Sequence, residues 1–212
     1  LQVVAANAAP VLDAAQTPTL TSLSASAAAP VNGNTTAGDL VSSLVVGISD
    51  TDAGALKGIA ITAANTSHGG FYYSLNNGAT WTAFPVVSAA ASLLLAADNN
   101  TRVFFKPAPD FNGSISDALT VRAWDQSAGT AGSTASTTVN GATTAFSVAA
   151  DALSLNVTAV NDAPNLVTPL SDKVLTQGNP FSWSIAGKFA MLTAMRCPTP
   201  QPWPMAIHCQ AG

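Results

Sequence analysis

Apolar and polar residues alternate over short runs along most of the chain, and turn residues separate the runs. Residues 44–48, 58–62, 71–75, 80–82, 103–105, 118–124 and 146–160 carry β-branched or aromatic side chains between Gly, Pro, Asn and Asp, a pattern that predicts strands. Alternation assigns Ile59, Ile61, Tyr73, Val103, Phe105, Leu119, Val121, Leu153, Leu155 and Val157 to inward faces, because a slip by one residue would expose them all. Asn76-Asn77-Gly78 supplies the positive-φ pair that closes a tight hairpin between Tyr73 and Trp81. Short strands with frequent turns predict an all-β chain folded as a β-sandwich. Two stretches strain that scheme. Residues 86–97 read as a short helix or an extra strand, and the Gly/Ser/Thr/Ala run 126–144 reads as a long flexible hairpin or loop.

The chain also repeats itself. Residues 1–12 align with residues 155–166, with identity at seven of the twelve positions. Each copy is a period-two strand ending in Asn and then Pro, which cannot donate to a ladder. A module border is therefore expected at both places. Residues 1–7 end a preceding repeat, 8–162 form one complete repeat, and 163 begins a second module.

Composition narrows the classes of function. Of 212 residues 48% are apolar, enough for a core, but only 8% are charged and every acid is Asp. Without Glu, soluble surface helices are poorly served. The net charge of −4 and the scattered Lys and Arg exclude a binder of phosphate backbones, so no nucleic-acid partner is expected. The longest apolar stretch, 85–97, is too short and Ser-rich to be a transmembrane segment. Leu1-Gln2-Val3-Val4 lacks the charged start of a signal peptide, and the chain reads as a piece of something longer. The region up to Phe189 contains no Cys, so in a secreted protein its fold would be held by burial and metal, not by disulfides.

The Asp positions carry nearly all of the oxygen-ligand chemistry. Asp50-Thr51-Asp52 follows a predicted strand and precedes Ala53-Gly54, so alternate side chains turn toward one point at a sandwich end. Asp125 ends the strand 119–124, and Asn161-Asp162 lies in the linker. Calcium takes six to eight oxygens in flexible geometry, and such clusters suit it. Asp and Asn also populate the turns of any β-protein.

Five ordered motifs carry a resemblance across most of the body. They are Gly58-Ile59-Ala60-Ile61-Thr62, Tyr73-Ser74-Leu75-Asn76-Asn77-Gly78-Ala79-Thr80-Trp81, Phe105 to Gly113, Leu119-Thr120-Val121-Arg122-Ala123-Trp124-Asp125, and Val160-Asn161-Asp162-Ala163-Pro164. Together they resemble the cadherin-like repeats of large bacterial surface adhesins, calcium-binding proteins exported by type I secretion. The resemblance implies a Greek-key cadherin- or immunoglobulin-like β-sandwich. Asp50-Thr51-Asp52 resembles the D-x-D element, Ala123-Trp124-Asp125 the A-x-D element and Asn161-Asp162-Ala163-Pro164 the linker. By that likeness Ca2+ is the implied cofactor, held at module borders by Asp50, Asp52, Asp125, Asn7, Asn161 and Asp162. The implied partners are neighbouring repeats of the same chain, and host or bacterial surface glycans or proteins, at an extracellular or cell-surface location. The first linker departs from the pattern, since Ala8 stands where the second copy has Asp162. The site it faces is one carboxylate short and is expected to be weak.

Residues 163–190 resemble the start of a dystroglycan-type cadherin-like domain, which continues with a D-x-D-G-D segment. Here the chain reads Met191-Leu192-Thr193-Ala194-Met195-Arg196. Written as ATG CTG ACG GCG ATG CGC behind a G, these codons give Asp-Ala-Asp-Gly-Asp-Ala one nucleotide earlier. A displaced frame therefore explains why both Cys, all three Met and four of the thirteen Pro follow Phe189. The second module is expected to be incomplete and residues 191–212 unstructured. Cys197, Cys209 and His208 accordingly form no zinc or redox site.

His68 lies in a polar loop with no base near it in sequence, and the body has neither Glu nor Cys, so an enzyme is not expected. The rival to an adhesive spacer is a carbohydrate-binding β-sandwich module that stacks sugars on Trp81, Tyr72 and Tyr73. Hairpin aromatics also serve as cross-strand pairs and core.

Overall fold

The computed structural model describes residues 6–161, 163, 165–170, 184 and 186–190. Among the described residues the chain is all-β apart from one 3-10 turn, Val41–Ser43. In order the strands are β1 (Val11–Leu12), β2 (Leu23–Ser24), β3 (Asp39–Leu40), β4 (Ile48–Ser49), β5 (Gly58–Ala64), β6 (Gly69–Ser74) and β7 (Thr82–Ala83). There follow β8 (Ser92–Ala96), β9 (Arg102–Pro107), β10 (Gly113–Trp124), β11 (Thr134–Ala135), β12 (Phe146–Thr158), β13 (Asn165–Leu166) and β14 (Phe189–Ala190). The chain divides into two compact units, Leu1–Thr158 and Ala159–Gly212.

Two larger sheets make up the first unit, ordered β11-β8-β5-β10-β12-β2 and β3-β9-β6-β7. All strand pairs within them are antiparallel except β12 with β2. One core lies between the sheets and takes Ile59, Ile61, Leu119, Val121, Leu153 and Leu155 from the first, and Phe71, Val103 and Phe105 from the second. This arrangement is consistent with a β-sandwich. All ten residues assigned inward by alternation belong to that core or pack against it, Tyr73 at its margin. Edge strands are two residues long, which leaves little unpaired backbone for edge-to-edge pairing.

Several segments differ from the pattern's expectation. Residues 92–96 take the extra-strand alternative and not the helix, but without alternation: Ser-Leu-Leu-Leu-Ala forms β8, buried throughout between β5 and β11. Both of its faces are covered, which is why it lacks alternation. The strand expected over 44–48 is mostly a bend, since Gly47 (φ +80°) turns the chain and only Ile48 enters β4. Between β6 and β7 the connection is longer than a tight hairpin, with Tyr73 opposite Thr82.

The segment 126–144 is laid over the outer face of the six-stranded sheet. A second apolar cluster, Ala60, Leu94, Ala96, Trp124, Ala145 and Phe146, lies there with Ala131 and Ala135 packed against it. Trp124 is 1% exposed, and its Nε1 donates to the Ala128 carbonyl at 2.7 Å. Small residues allow this cover to come close: a Cβ at Gly129 would meet the Leu94 side chain.

The positive-φ pair is present, with Asn77 at φ +53° and Gly78 at +81°. Ser74 Oγ accepts from Gly78 N at 2.8 Å, and the Gly78 carbonyl accepts from Gly33 N at 2.8 Å. A Cβ at Gly78 would run into the Asn34 carbonyl. Gly78→Ala is therefore expected to cost about 2 kcal/mol or more, read as a lower urea midpoint, because left-handed strain adds to a backbone collision.

In the second unit, β13 and β14 pair antiparallel, with Asn165 opposite Ala190 and Leu166 opposite Phe189. Residues 191–212, including Cys197, Cys209 and His208, lie outside the described residues. No helix among the described residues is long and apolar enough to cross a membrane.

Candidate metal-binding end of the first unit

Asp50 and Asp52 follow β4 directly, and Asp125 follows β10. Each builds its own turn. Asp50 Oδ1 accepts from Asp52 N at 2.8 Å, and Asp125 Oδ1 accepts from Ser127 N at 2.8 Å. These are Asx turns, in which a short carboxylate replaces a main-chain acceptor two residues on. Gln126 (φ +64°) then reverses the chain, and its Nε2 donates to Lys57 O at 2.6 Å.

The first linker comes to the same place. Asn7 Nδ2 donates to Asp125 Oδ2 at 2.9 Å and to the Thr144 carbonyl at 3.2 Å, while Ala8 N donates to Asp52 Oδ2 at 2.8 Å. The structure thus joins Asn7, Asp50, Asp52 and Asp125, which come from three distant stretches of sequence. Asp125 is buried, whereas Asn7, Asp50 and Asp52 are half-buried. Asp50 Oδ2 is buried and has no hydrogen-bond partner. A buried acceptor left unpaired costs about 1–3 kcal/mol, so that oxygen is primed for a cation.

The donor set fits calcium. By type it holds oxygen ligands for a hard cation, three carboxylates and nearby main-chain carbonyls, while Asn7 turns its Nδ2 and not its oxygen toward Asp125. It is not a closed cage: among the described residues no three Asp, Glu, His or Cys side chains converge as a group able to hold an ion. Main-chain and amide N–H groups lie between the carboxylates and use oxygens that an ion would need.

The other expected ligands lie elsewhere. Register places Trp124 opposite Phe146, so the Asp125 end of β12 is its start, and Asn161 follows its far end at Thr158. Thirteen residues at about 3.3 Å each put those two ends roughly 40 Å apart. Asn161 is exposed, and Asp162 lies outside the described residues. The Thr144 carbonyl was not foreseen as part of this cluster, and a main-chain oxygen leaves no residue-type signal.

His68 is exposed and stacks on Phe111, with centroids 4.2 Å apart and planes 11° from parallel. Of the aromatics considered for sugar stacking, Tyr73 turns toward the core, while Trp81 meets Phe104 edge-on at 6.1 Å.

Comparison with family models, with curated proteins and with solved structures finds no match to this chain.

Proposed function

We propose that the chain is a calcium-binding structural and adhesive repeat of a large extracellular or cell-surface bacterial protein, stiffening a multi-repeat rod. The observation that carries this is the convergence of Asn7, Asp50, Asp52 and Asp125 at the end of the unit where the preceding linker enters, with one buried carboxylate oxygen unpaired. An ion held by some of these oxygens would fix the angle at which Asn7 and Ala8 join the unit. That is the chemistry of a stiffened joint.

The second unit supports the repeat reading. Asn165 and Leu166 hold the places of Val11 and Leu12 in the repeated segment, and β13 pairs with β14 as β1 pairs with β4. Val167 N donates to Lys188 O at 2.9 Å, as Asp13 N donates to Gly47 O at 3.0 Å. After Ser49 the chain continues Asp50-Thr51-Asp52. At the corresponding point after Ala190 it continues Met191-Leu192-Thr193. The displaced-frame reading puts an Asp-x-Asp at that place, so a cadherin-like second module, begun at 163 and interrupted at 191, accounts for both the pairing and the break.

Extracellular calcium modules bind at roughly 0.1–1 mM. With Ala8 in place of a linker carboxylate, calorimetric titration of this chain should saturate only at or above the millimolar range. Ala8→Asp should tighten binding several-fold. Micromolar binding by the unaltered chain would contradict the incomplete site.

A further inference from the structure

We infer that the outer face of the four-stranded sheet is a binding shelf for an acidic oligosaccharide. Register opposes Tyr72 to Phe104, Gly70 to Lys106 and Ser74 to Arg102. Phe71, Val103 and Phe105 point into the core, so the alternate positions Tyr72, Phe104 and Lys106 face outward, while Ser74 of the same set is buried where its Oγ accepts from Gly78 N. Tyr72 and Phe104 are half-buried, and Trp81 stands against Phe104 at an interplanar angle of 69°. The result is two aromatic rings as a floor and an indole as a wall. Gly70 extends the floor, because a Cβ built there would meet nothing within 4 Å.

One observation selects the ligand, and another concerns the indole wall. The first is the charge of the face. In a chain of net charge −4, the paired outward positions of β6 and β9 carry no carboxylate. Arg102 is committed to Asn77 Oδ1 and to the Ala37 and Gly38 carbonyls. Lys106 is exposed and has no hydrogen-bond or ion-pair partner among the described residues. Lys106 follows Phe104 by two residues on β9 and so shares its face, where an ammonium complements a sugar carboxylate. The pyranose C–H face rests on the rings while the carboxylate meets the amine. The second is the Trp81 Nε1 atom, buried with no acceptor. A Phe at this position would avoid an orphaned donor, so the fold itself gains nothing from the indole nitrogen. The larger ring adds wall area for a stacked ligand.

This shelf is independent of the calcium reading, and the test separates them. The full chain, held in excess EDTA, is titrated with tri-galacturonic acid and with neutral cellotriose while the Trp81 indole N–H signal is followed by NMR. Saturable shifts are expected with the uronate at about millimolar affinity and at least several-fold weaker binding for the neutral sugar. Tyr72→Ala should weaken uronate binding about tenfold, whereas Tyr72→Phe should retain it. Lys106→Gln should abolish the preference for the acid. The melting temperature of each variant reports whether the sheet is intact. No shift up to about 20 mM uronate, equal binding of both sugars, or a Tyr72→Ala variant that binds normally would overturn the assignment.

Discussion

Trp124→Ala should destabilise the first unit by about 3–5 kcal/mol, the range for emptying a buried aromatic site. The side chain is 1% exposed at the end of β10, and it is the largest member of the second apolar cluster. Its loss removes packing against Leu94 and Phe146 and leaves the Ala128 carbonyl without its indole donor. The effect should be local as well as global. The segment 126–144 is seated on that cluster by Trp124, Ala131 and Ala135, and is held at its edge by β11 and by Thr137, which bonds Ala89 and Ser92. In the variant, limited proteolysis should cut first within 126–144, before the rest of the sandwich opens. Trp124→Phe keeps most of the apolar volume but loses the Ala128 bond, and should cost roughly 1–2 kcal/mol. Denaturant midpoints and the site of the first cut check both.

The second large effect is a change of sign. Asp50→Asn keeps an oxygen to accept from Asp52 N but removes the charge whose other oxygen, Oδ2, is buried and unpaired. Without an ion the variant should be at least as stable as the parent, because a half-buried carboxylate close to Asp52 is replaced by a neutral amide. In excess calcium the order should invert, since the same oxygen then contributes to binding in the parent alone. A variant that is destabilised equally with and without calcium would mean that Asp50 only shapes its turn. Melting curves in EDTA and in calcium distinguish these outcomes.

Period-two alternation was legible wherever a strand has one buried face. Ile59 and Ile61, Leu119 and Val121, and Leu153, Leu155 and Val157 all face inward as the sequence pattern implies. It failed where that condition lapses. Leu93, Leu94 and Leu95 form a continuous apolar run because the 126–144 segment covers the face that would otherwise meet solvent. The cover is itself built of Gly, Ala, Ser and Thr, residues that usually mark a loop, and here their small size permits close seating over Leu94 and Trp124. The acidic end was legible in part. Asp50-x-Asp52 and Asp125 announce turns by their spacing, and the repeat of residues 1–12 at 155–166 points to Asn7 as a border residue. Their meeting was not readable from spacing, since Asn7 and Asp125 are 118 residues apart and become neighbours only when β10 and the linker reach the same end of the sandwich.

The most direct test is the calcium dependence of the melting temperature of the unaltered chain beside that of Asp52→Ala. Asp52 Oδ2 receives the linker through Ala8 N, so it couples the acidic turn to the entering chain. With a dissociation constant near 1 mM, 10 mM calcium should add about 1.4 kcal/mol of stability. For a unit of this size that is a rise of roughly 3–6 °C. The unaltered chain should show this rise, EDTA should reverse it, and Asp52→Ala should lack it. A melting temperature indifferent to calcium in the unaltered chain, or an equal rise in Asp52→Ala, would contradict a calcium joint at this end of the fold.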